Sequence, residues 1–326
     1  MEVQTKKRLV LFAGRSNSEL ATQIADELEI GLGGVEVRTF PDGEIYSRYR
    51  ESVRGTDAFV LQSMSPPLNE NLMEHLIMID ALRRASAKRV VAVAPYYPYA
   101  RQDKKALPRE PITARLVANM YEAAGIDRII SVDLHAGQIQ GFHTVPLDHL
   151  TALPLLCDHI AAHVPPDTQI TIVSPDTGRV RTAEKFGQRL HAPISFLHKR
   201  RSRDRAGEIE MLEVVGDVEG RMCIVVDDMI TTAGTICSAA IMLKDRGAAS
   251  VWAVATHGVF AGPAIDRLKN APIEQVVVTN TLPVSDECHF DSLVVLSIAP
   301  VIAAAIRAIF DDGSVSGISD GLNDRF

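Results

Sequence analysis

The chain has 326 residues, 46% of them hydrophobic, and a formal net charge of -7 from 34 Lys and Arg against 41 Asp and Glu. That length and apolar content suit two domains of ordinary size, each with its own core. The acidic balance excludes a phosphate-backbone binder, which carries a basic excess, so no nucleic-acid partner is expected and any anion site must be local.

From the N-terminus, Lys6-Lys7-Arg8 before an apolar run imitates a secretion leader, but the run is short and Arg15 follows at once, so it reads as the first strand. Residues 298–310 are apolar but interrupted by Arg307 and fall below bilayer length; no membrane segment is expected. Cys157, Cys223, Cys237 and Cys288 are scattered without metal or redox spacing, and read as reduced thiols of a cytoplasmic protein.

β-Branched runs predict strands at residues 9–12, 59–61, 90–94, 129–132, 170–173, 194–197, 223–226, 251–255, 276–278 and 293–296. Helical patterns lie between them at 18–28, 70–85, 113–124, 152–163, 182–190, 236–246 and 299–310. The alternation predicts an α/β protein of two similarly folded domains, each a mostly parallel sheet flanked by helices and joined by right-handed crossovers. The internal boundary falls at 146–154, giving domains 1–150 and 151–303 and a polar tail at 304–326. The 90–94 strand leading to Pro95-Tyr96-Tyr97 reads as the counterpart of the 223–226 strand leading to Asp227-Asp228.

The charged motifs follow the strands. Phe40-Pro41-Asp42-Gly43-Glu44 is a turn, because Pro fixes φ and Asp-Gly favours tight reversal. Arg101-Gln102-Asp103-Lys104-Lys105 lies where an open α/β sheet binds ligands, beyond the carboxyl ends of its strands, although a solvated loop reads equally well. His135 follows a strand, where a structural imidazole is the commoner outcome than a ligand. Asp176, in Ser174-Pro175-Asp176-Thr177-Gly178, can meet a hard cation or cap the next helix. The densest basic cluster, residues 198–205, reads as a surface loop.

The most informative stretch is Cys223-Ile224-Val225-Val226-Asp227-Asp228-Met229-Ile230-Thr231-Thr232-Ala233-Gly234-Thr235, an apolar run ending in two acids and a hydroxyl-rich loop that opens a helix. Backbone N–H groups at such a helix start, with the hydroxyls of Thr231, Thr232 and Thr235, suit a phosphate dianion. Asp227 and Asp228 can accept hydrogen bonds from two vicinal sugar hydroxyls, or can cap the helix.

This stretch resembles the phosphoribosyl-pyrophosphate (PRPP) loop shared by type I phosphoribosyltransferases and PRPP synthetases, and alone does not choose between them. The 40–44 and 101–105 segments, together with 108–118 and 132–142, are similar to PRPP synthetases, and the likeness extends from residue 12 to about residue 300 in family order. The resemblance implies a type I phosphoribosyltransferase fold in each domain and a ribose-phosphate diphosphokinase activity. That activity transfers the β,γ-diphosphoryl group of Mg-ATP to the C1 hydroxyl of ribose 5-phosphate, giving PRPP and AMP.

By residue, the resemblance implies that Phe40, Asp42, Glu44, Arg101, Gln102 and Asp103 contact ATP. His135 and Asp176 would hold Mg2+ and phosphate groups, and Asp227, Asp228, Thr231, Thr232, Ala233, Gly234 and Thr235 would hold ribose 5-phosphate. Lys199 and Arg201 would be catalytic cations brought over the reacting phosphates. The resemblance also implies a homo-oligomer, up to a hexamer, with the loop around Phe40 reaching a neighbouring subunit.

Three departures stand out. Arg179 occupies a position where the family often has a second glycine, His143 one where it often has an aromatic, and Thr231 with Ala233 replace Asp and Gly of the common synthetase loop. A positive φ at Ala233 would cost roughly 1 kcal/mol, so either that strain is present or φ is negative. Two other functions compete with the diphosphokinase. A catalytically silent regulatory subunit is disfavoured because the acids and cations are all present, and a phosphoribosyltransferase because the ATP segments are intact.

Overall fold

The structure is a computed structural model describing residues 7–204, 207–315 and 317, and between 199 and 212 it describes the backbone alone. It divides the chain into two compact units, residues 1–151 with 281–283 and 297–326, and residues 152–280 with 284–296. Each is α/β with a mainly parallel sheet.

In the first unit five parallel strands lie in the order β1 (Leu9–Ala13), β4 (Asp57–Leu61), β5 (Arg89–Val93), β6 (Arg128–Val132), β7 (Leu147–Leu150). Helices α1 (Ser18–Glu27), α2 (Leu68–Arg84) and α3 (Thr113–Ala124) connect them, with a separate antiparallel hairpin of β2 (Val35–Thr39) and β3 (Ile45–Tyr49). β4 is buried at all five positions; a central parallel strand covered on both faces reads as an unbroken apolar run rather than an alternation. Asn17 caps α1 by accepting Leu20 N–H at 3.2 Å, and α3 stops at Gly125, whose φ of 102° favours glycine.

The second unit is built on a seven-stranded sheet. Its strands are β8 (Ile170–Ser174), β9 (Ile194–Asp204), β10 (Gly207–Val215), β11 (Met222–Ile230), β12 (Ser250–Gly258), β13 (Gln275–Thr279) and β14 (Leu293–Leu296), in the order β10-β9-β8-β11-β12-β13-β14. Only the β9–β10 pairing is antiparallel. Helices α4 (Leu153–His163), α5 (Val180–Leu190), α6 (Gly234–Asp245) and α7 (Ala264–Asn270) complete it. Its core joins β11, β12 and β13 to α6 through Val225, Ala253, Val276, Ile236, Ala240 and Leu243.

Every predicted strand and helix is present, with ends shifted by a few residues. Strands β2, β3, β7 and β10 and helix α7 were absent from the prediction. β2 and β3 mix Arg, Glu and Ser into half-exposed positions, β7 has four residues and α7 seven. The basic run after residue 197, expected as a loop, continues strand β9 and pairs with β10, Lys199 opposite Leu212 and Arg201 opposite Glu210. The final helix, α8 (Ala299–Phe310), packs on α1 and belongs to the first unit, whereas the sequence division gave its start to the second domain and its end to a tail. Among the described residues no helix is long and apolar enough to cross a membrane.

Both units run strand, helix, hairpin, strand in the same order: β1-α1-β2-β3-β4 and β8-α5-β9-β10-β11. In each the two named parallel strands are neighbours. The counterpart of β11 is therefore β4, which leads to Gln62-Ser63, and not the 90–94 strand that the sequence reading paired with it.

Candidate active site

In the first unit the candidate residues sit on three loops. The β2–β3 tip closes with Phe40 N–H donating to Glu44 O at 2.8 Å and Gly43 N–H to Phe40 O at 2.9 Å. Gly43 has φ 95°, a value that favours glycine at this reversal. Asp42 accepts Glu44 N–H at 3.1 Å, and Phe40 packs edge-on to Tyr46 at 6.1 Å, with the Arg38 guanidinium over both rings. The tip thus presents an exposed aromatic held by a cation and two carboxylates.

Beyond β5, Arg101 and Gln102 are exposed while Asp103 is buried and accepts a hydrogen bond from Gln138. Gln102 accepts from Thr113 Oγ1 at 2.6 Å, fixing the loop to the start of α3. Leu68, Tyr96, Tyr99, Ala100, Arg101 and Gln102 line a cavity of about 340 Å³, large enough for a small ligand. Its lining thus combines two Tyr side chains with the charge of Arg101.

His135 lies half-buried beyond β6. In the same loop, Leu134 N–H donates to Nε2 of His149 on β7 at 2.9 Å. His143 is buried, edge-on to Tyr97 and hydrogen-bonded to its hydroxyl at 3.0 Å; burial pulls its pKa down to about 4. It is a neutral packing residue of this unit.

In the second unit the loops after β8 and β11 lie side by side, because these strands pair in parallel from Met222 opposite Ile170 to Val225 opposite Val173. Asp176 is exposed, and its Oδ1 accepts the N–H groups of Gly178 at 2.8 Å and Arg179 at 3.1 Å. A Cβ at Gly178 would come within 3.2 Å of that oxygen, which accounts for the glycine. Asp176 thus closes the turn before α5 and does not cap that helix, whose N-cap is Arg179 with no side-chain cap bond.

Asp227 and Asp228 end the apolar part of β11. The Arg179 guanidinium bridges them, Nε to Asp227 Oδ1 at 3.3 Å and Nη2 to Asp228 Oδ2 at 2.8 Å. Asp227 Oδ1 also accepts Asp228 N–H at 2.8 Å. Burial first, and then the neighbouring Asp228 charge, push the Asp227 carboxyl up from the usual carboxylate range.

The 231–235 loop turns into α6 through Ala233, whose φ is 59°. Of the two alternatives at this position, the strained one is present, at a cost of roughly 1 kcal/mol. Cys237 N–H donates to Ala233 O at 2.9 Å, the first helical bond, and no side chain caps the helix start. The first amides of α6 are thus left for an anion, beside the hydroxyls of Thr231, Thr232 and Thr235. Arg267 of α7 donates to Thr232 O at 2.9 Å, adding a cation at the loop that the sequence reading missed.

The side chains of Lys199 and Arg201 lie outside the described residues. Among the described residues no group of three His, Cys, Asp or Glu side chains is placed to hold a metal.

Residues 9–125 match the family described as the N-terminal domain of ribose phosphate pyrophosphokinase, and residues 205–319 match the phosphoribosyl synthetase-associated domain. The ribose-phosphate pyrophosphokinase of Mycobacterium leprae is 53% identical over 317 residues, 97% of either chain. This chain belongs to the ribose-phosphate pyrophosphokinase family. The enzyme of that name from Streptomyces coelicolor is 52% identical over 315 residues, again 97% of either chain. The crystal structure of phosphoribosylpyrophosphate synthetase from Mycobacterium smegmatis superposes with a TM-score of 0.89 at 53% identity, covering 94% of this chain and 100% of that one. Over the 94% of this pyrophosphokinase family member that superposes, its fold is therefore that of a PRPP synthetase. Within it, the sequence reading named the acids and the loop at β11 but not Arg267, and treated Arg179 only as a departure. Neither arginine forms a sequence motif with the residues it touches, since those contacts join separate strands and helices.

Proposed function

We infer that the chain is a ribose-phosphate diphosphokinase, making PRPP and AMP from Mg-ATP and ribose 5-phosphate. The observation that carries this is the strand-end cup of the second unit, two acids followed by an uncapped helix start, in a chain of the pyrophosphokinase family that matches a relative over 97% of either chain. In the reaction the C1 hydroxyl oxygen bonds to the β-phosphorus, the bond from that phosphorus to the α,β-bridging oxygen breaks, AMP departs and the hydroxyl proton is released. Such a transfer needs little covalent help, so catalysis is positioning and neutralisation of phosphate charge.

Asp227 and Asp228 accept hydrogen bonds from the vicinal ribose hydroxyls, and Thr231, Thr232, Ala233, Gly234 and Thr235 hold the 5-phosphate at the start of α6. Phe40, Asp42, Glu44, Arg101, Gln102 and Asp103 bind ATP, the aromatic stacking on the base and the cation meeting phosphate. Lys199 and Arg201 neutralise charge on the transferred group, Lys as a point charge and Arg as a planar fork.

The donor set fits magnesium, which keeps most of its waters and takes one or two protein ligands plus substrate phosphates. In the second unit Asp176, with an exposed carboxylate, would supply such an oxygen, and in the first unit His135 would hold a metal or phosphate group. When bound, Mg2+ draws off negative charge from the phosphate oxygens. We further propose a homo-oligomer that works in the cytoplasm, with the exposed β2–β3 tip shared with a neighbouring copy.

The test is to incubate the purified protein with Mg-ATP and ribose 5-phosphate and resolve the nucleotides. AMP formed only with the sugar phosphate is the expected result. ADP would overturn the reaction, and retained ligand binding without turnover would indicate a regulatory subunit.

A further inference from the structure

Arg179 is the one departure from the family pattern that falls inside the candidate site and touches its acids. Its backbone is fixed three ways. Its N–H donates to Asp176 Oδ1 at 3.1 Å, its carbonyl accepts Ala183 N–H at 3.1 Å, and it forms the N-cap of α5. The side chain then reaches the neighbouring strand end, where the parallel pairing of β8 and β11 sets Asp227 and Asp228. Side-chain exposures of 19%, 16% and 9% for Arg179, Asp227 and Asp228 place the contact in a largely desolvated cleft.

The geometry uses one guanidinium edge, Nε to the first acid and Nη2 to the second. Adjacent carboxylates in such a place repel each other, and a planar cation spanning both removes much of that repulsion. Each acid commits one named oxygen to the arginine, Asp227 Oδ1 and Asp228 Oδ2, and a carboxylate has about four acceptor sites. A neutral hydroxyl does not displace a charge-assisted contact made to two anions at once, so a sugar diol binds with the arginine in place. The incoming sugar phosphate, itself an anion, then meets a cluster that carries one positive charge more than the acids alone.

We propose that Arg179 is a positioning residue of the ribose subsite, clamping Asp227 and Asp228 together as a paired acceptor for a vicinal diol and lowering the barrier to an anionic sugar phosphate. This rests on the diphosphokinase reading above. The test compares wild type, Arg179→Ala and Arg179→Lys by AMP formation, varying ribose 5-phosphate at saturating ATP and the reverse. The expected result is a KM for ribose 5-phosphate raised about tenfold in Arg179→Ala, with the KM for ATP within twofold of wild type. Arg179→Lys falls between, because an ammonium reaches one acid but does not span two.

An unchanged or lowered KM for ribose 5-phosphate overturns the clamp, as does a loss of thermal stability with both KM values unchanged. If Arg179→Ala does not fold, Arg179→Lys decides by the same split, a rise for the sugar alone supporting the clamp and no rise overturning it. A wild-type protein that forms no AMP refutes the diphosphokinase reading and not the clamp. The variants are then compared by direct binding of ribose 5-phosphate, where equal affinities overturn the clamp.

Discussion

After β1 the chain sets Arg15 against Glu74, and after β8 it sets Arg179 against Asp227 and Asp228. The two arginines occupy corresponding loops of the same topological repeat, yet their surroundings differ. In the first unit the strand end is filled by its own side chains. Glu74, almost fully buried, accepts from Arg15 N–H at 2.7 Å, from Arg15 Nε at 2.6 Å and from Gln62 Nε2 at 3.0 Å. Gln62 in turn accepts from Ser16 Oγ at 2.6 Å, and Asn17 donates to Ser63 Oγ at 3.0 Å. In the second unit the acids stand on the strand itself, before a helix start that nothing caps. A filled strand end contributes stability, and a helix start that no side chain caps is available to a ligand.

The sharpest way to break that contrast is to remove one acid from each side. Asp228→Ala is expected to raise the KM for ribose 5-phosphate by about a hundredfold, through lost charge-assisted hydrogen bonds, while the denaturation midpoint stays near wild type because a repelling neighbour of Asp227 is gone. Glu74→Ala is expected to do the reverse. Losing a buried acceptor of three hydrogen bonds should cost about 2 kcal/mol in a denaturant titration, with the KM for ribose 5-phosphate unchanged. A Glu74 variant that kept its stability, or a Asp228 variant that kept its affinity, would erase the distinction.

A smaller effect separates the units by pH. His75 is held in the first unit between Tyr121 and Val60 O, and burial takes its pKa, like that of His143, down to about 4. In the unfolded chain both titrate near 6.5. Between those values the unfolded state binds more protons, so their share of stability is present above about pH 6.5 and lost as pH falls towards 4. Asp227 acts in the opposite sense, since its raised pKa gives stability that is lost as pH climbs above about 4. Denaturant midpoints at pH 4.5 and 6.5 should therefore fall on acidification in wild type and fall less in His143→Phe; equal falls would show that His143 does not stay neutral.

Sequence patterns went far because the dominant signals are local. Apolar β-branched runs bounded by turn residues located all the buried strands, and the acid pair and hydroxyl loop at 227–235 stood out since one strand–turn–helix carries them. What escaped depends on distance or on weak patterning. β2 and β3 carry charges along a half-exposed ribbon, so no apolar run marks them. The basic run after residue 197 reads as solvated loop because its charges hide the pairing that β10 provides. The Arg179 clamp and the Arg267 contact with Thr232 join residues 35 to 49 positions apart, and only the register of the strands brings them together. The pairing of 90–94 with 223–226 failed for a related reason: resemblance of strand ends does not fix strand order.

The return of α8 to the first unit has a consequence for synthesis. The chain leaves that unit at residue 151 and re-enters it for good at residue 297, so the earlier-begun body is completed after the other. While a ribosome makes residues 152–296, the apolar side of α1, with Leu20, Ala21 and Ile24, waits for Ile302, Ile306 and Ile309 to emerge. The second unit, contiguous apart from three residues, meets no such delay and can fold first, against the usual N-terminal-first order of domains. A stop codon before residue 299 leaves the first unit, and not the second, without its last helix.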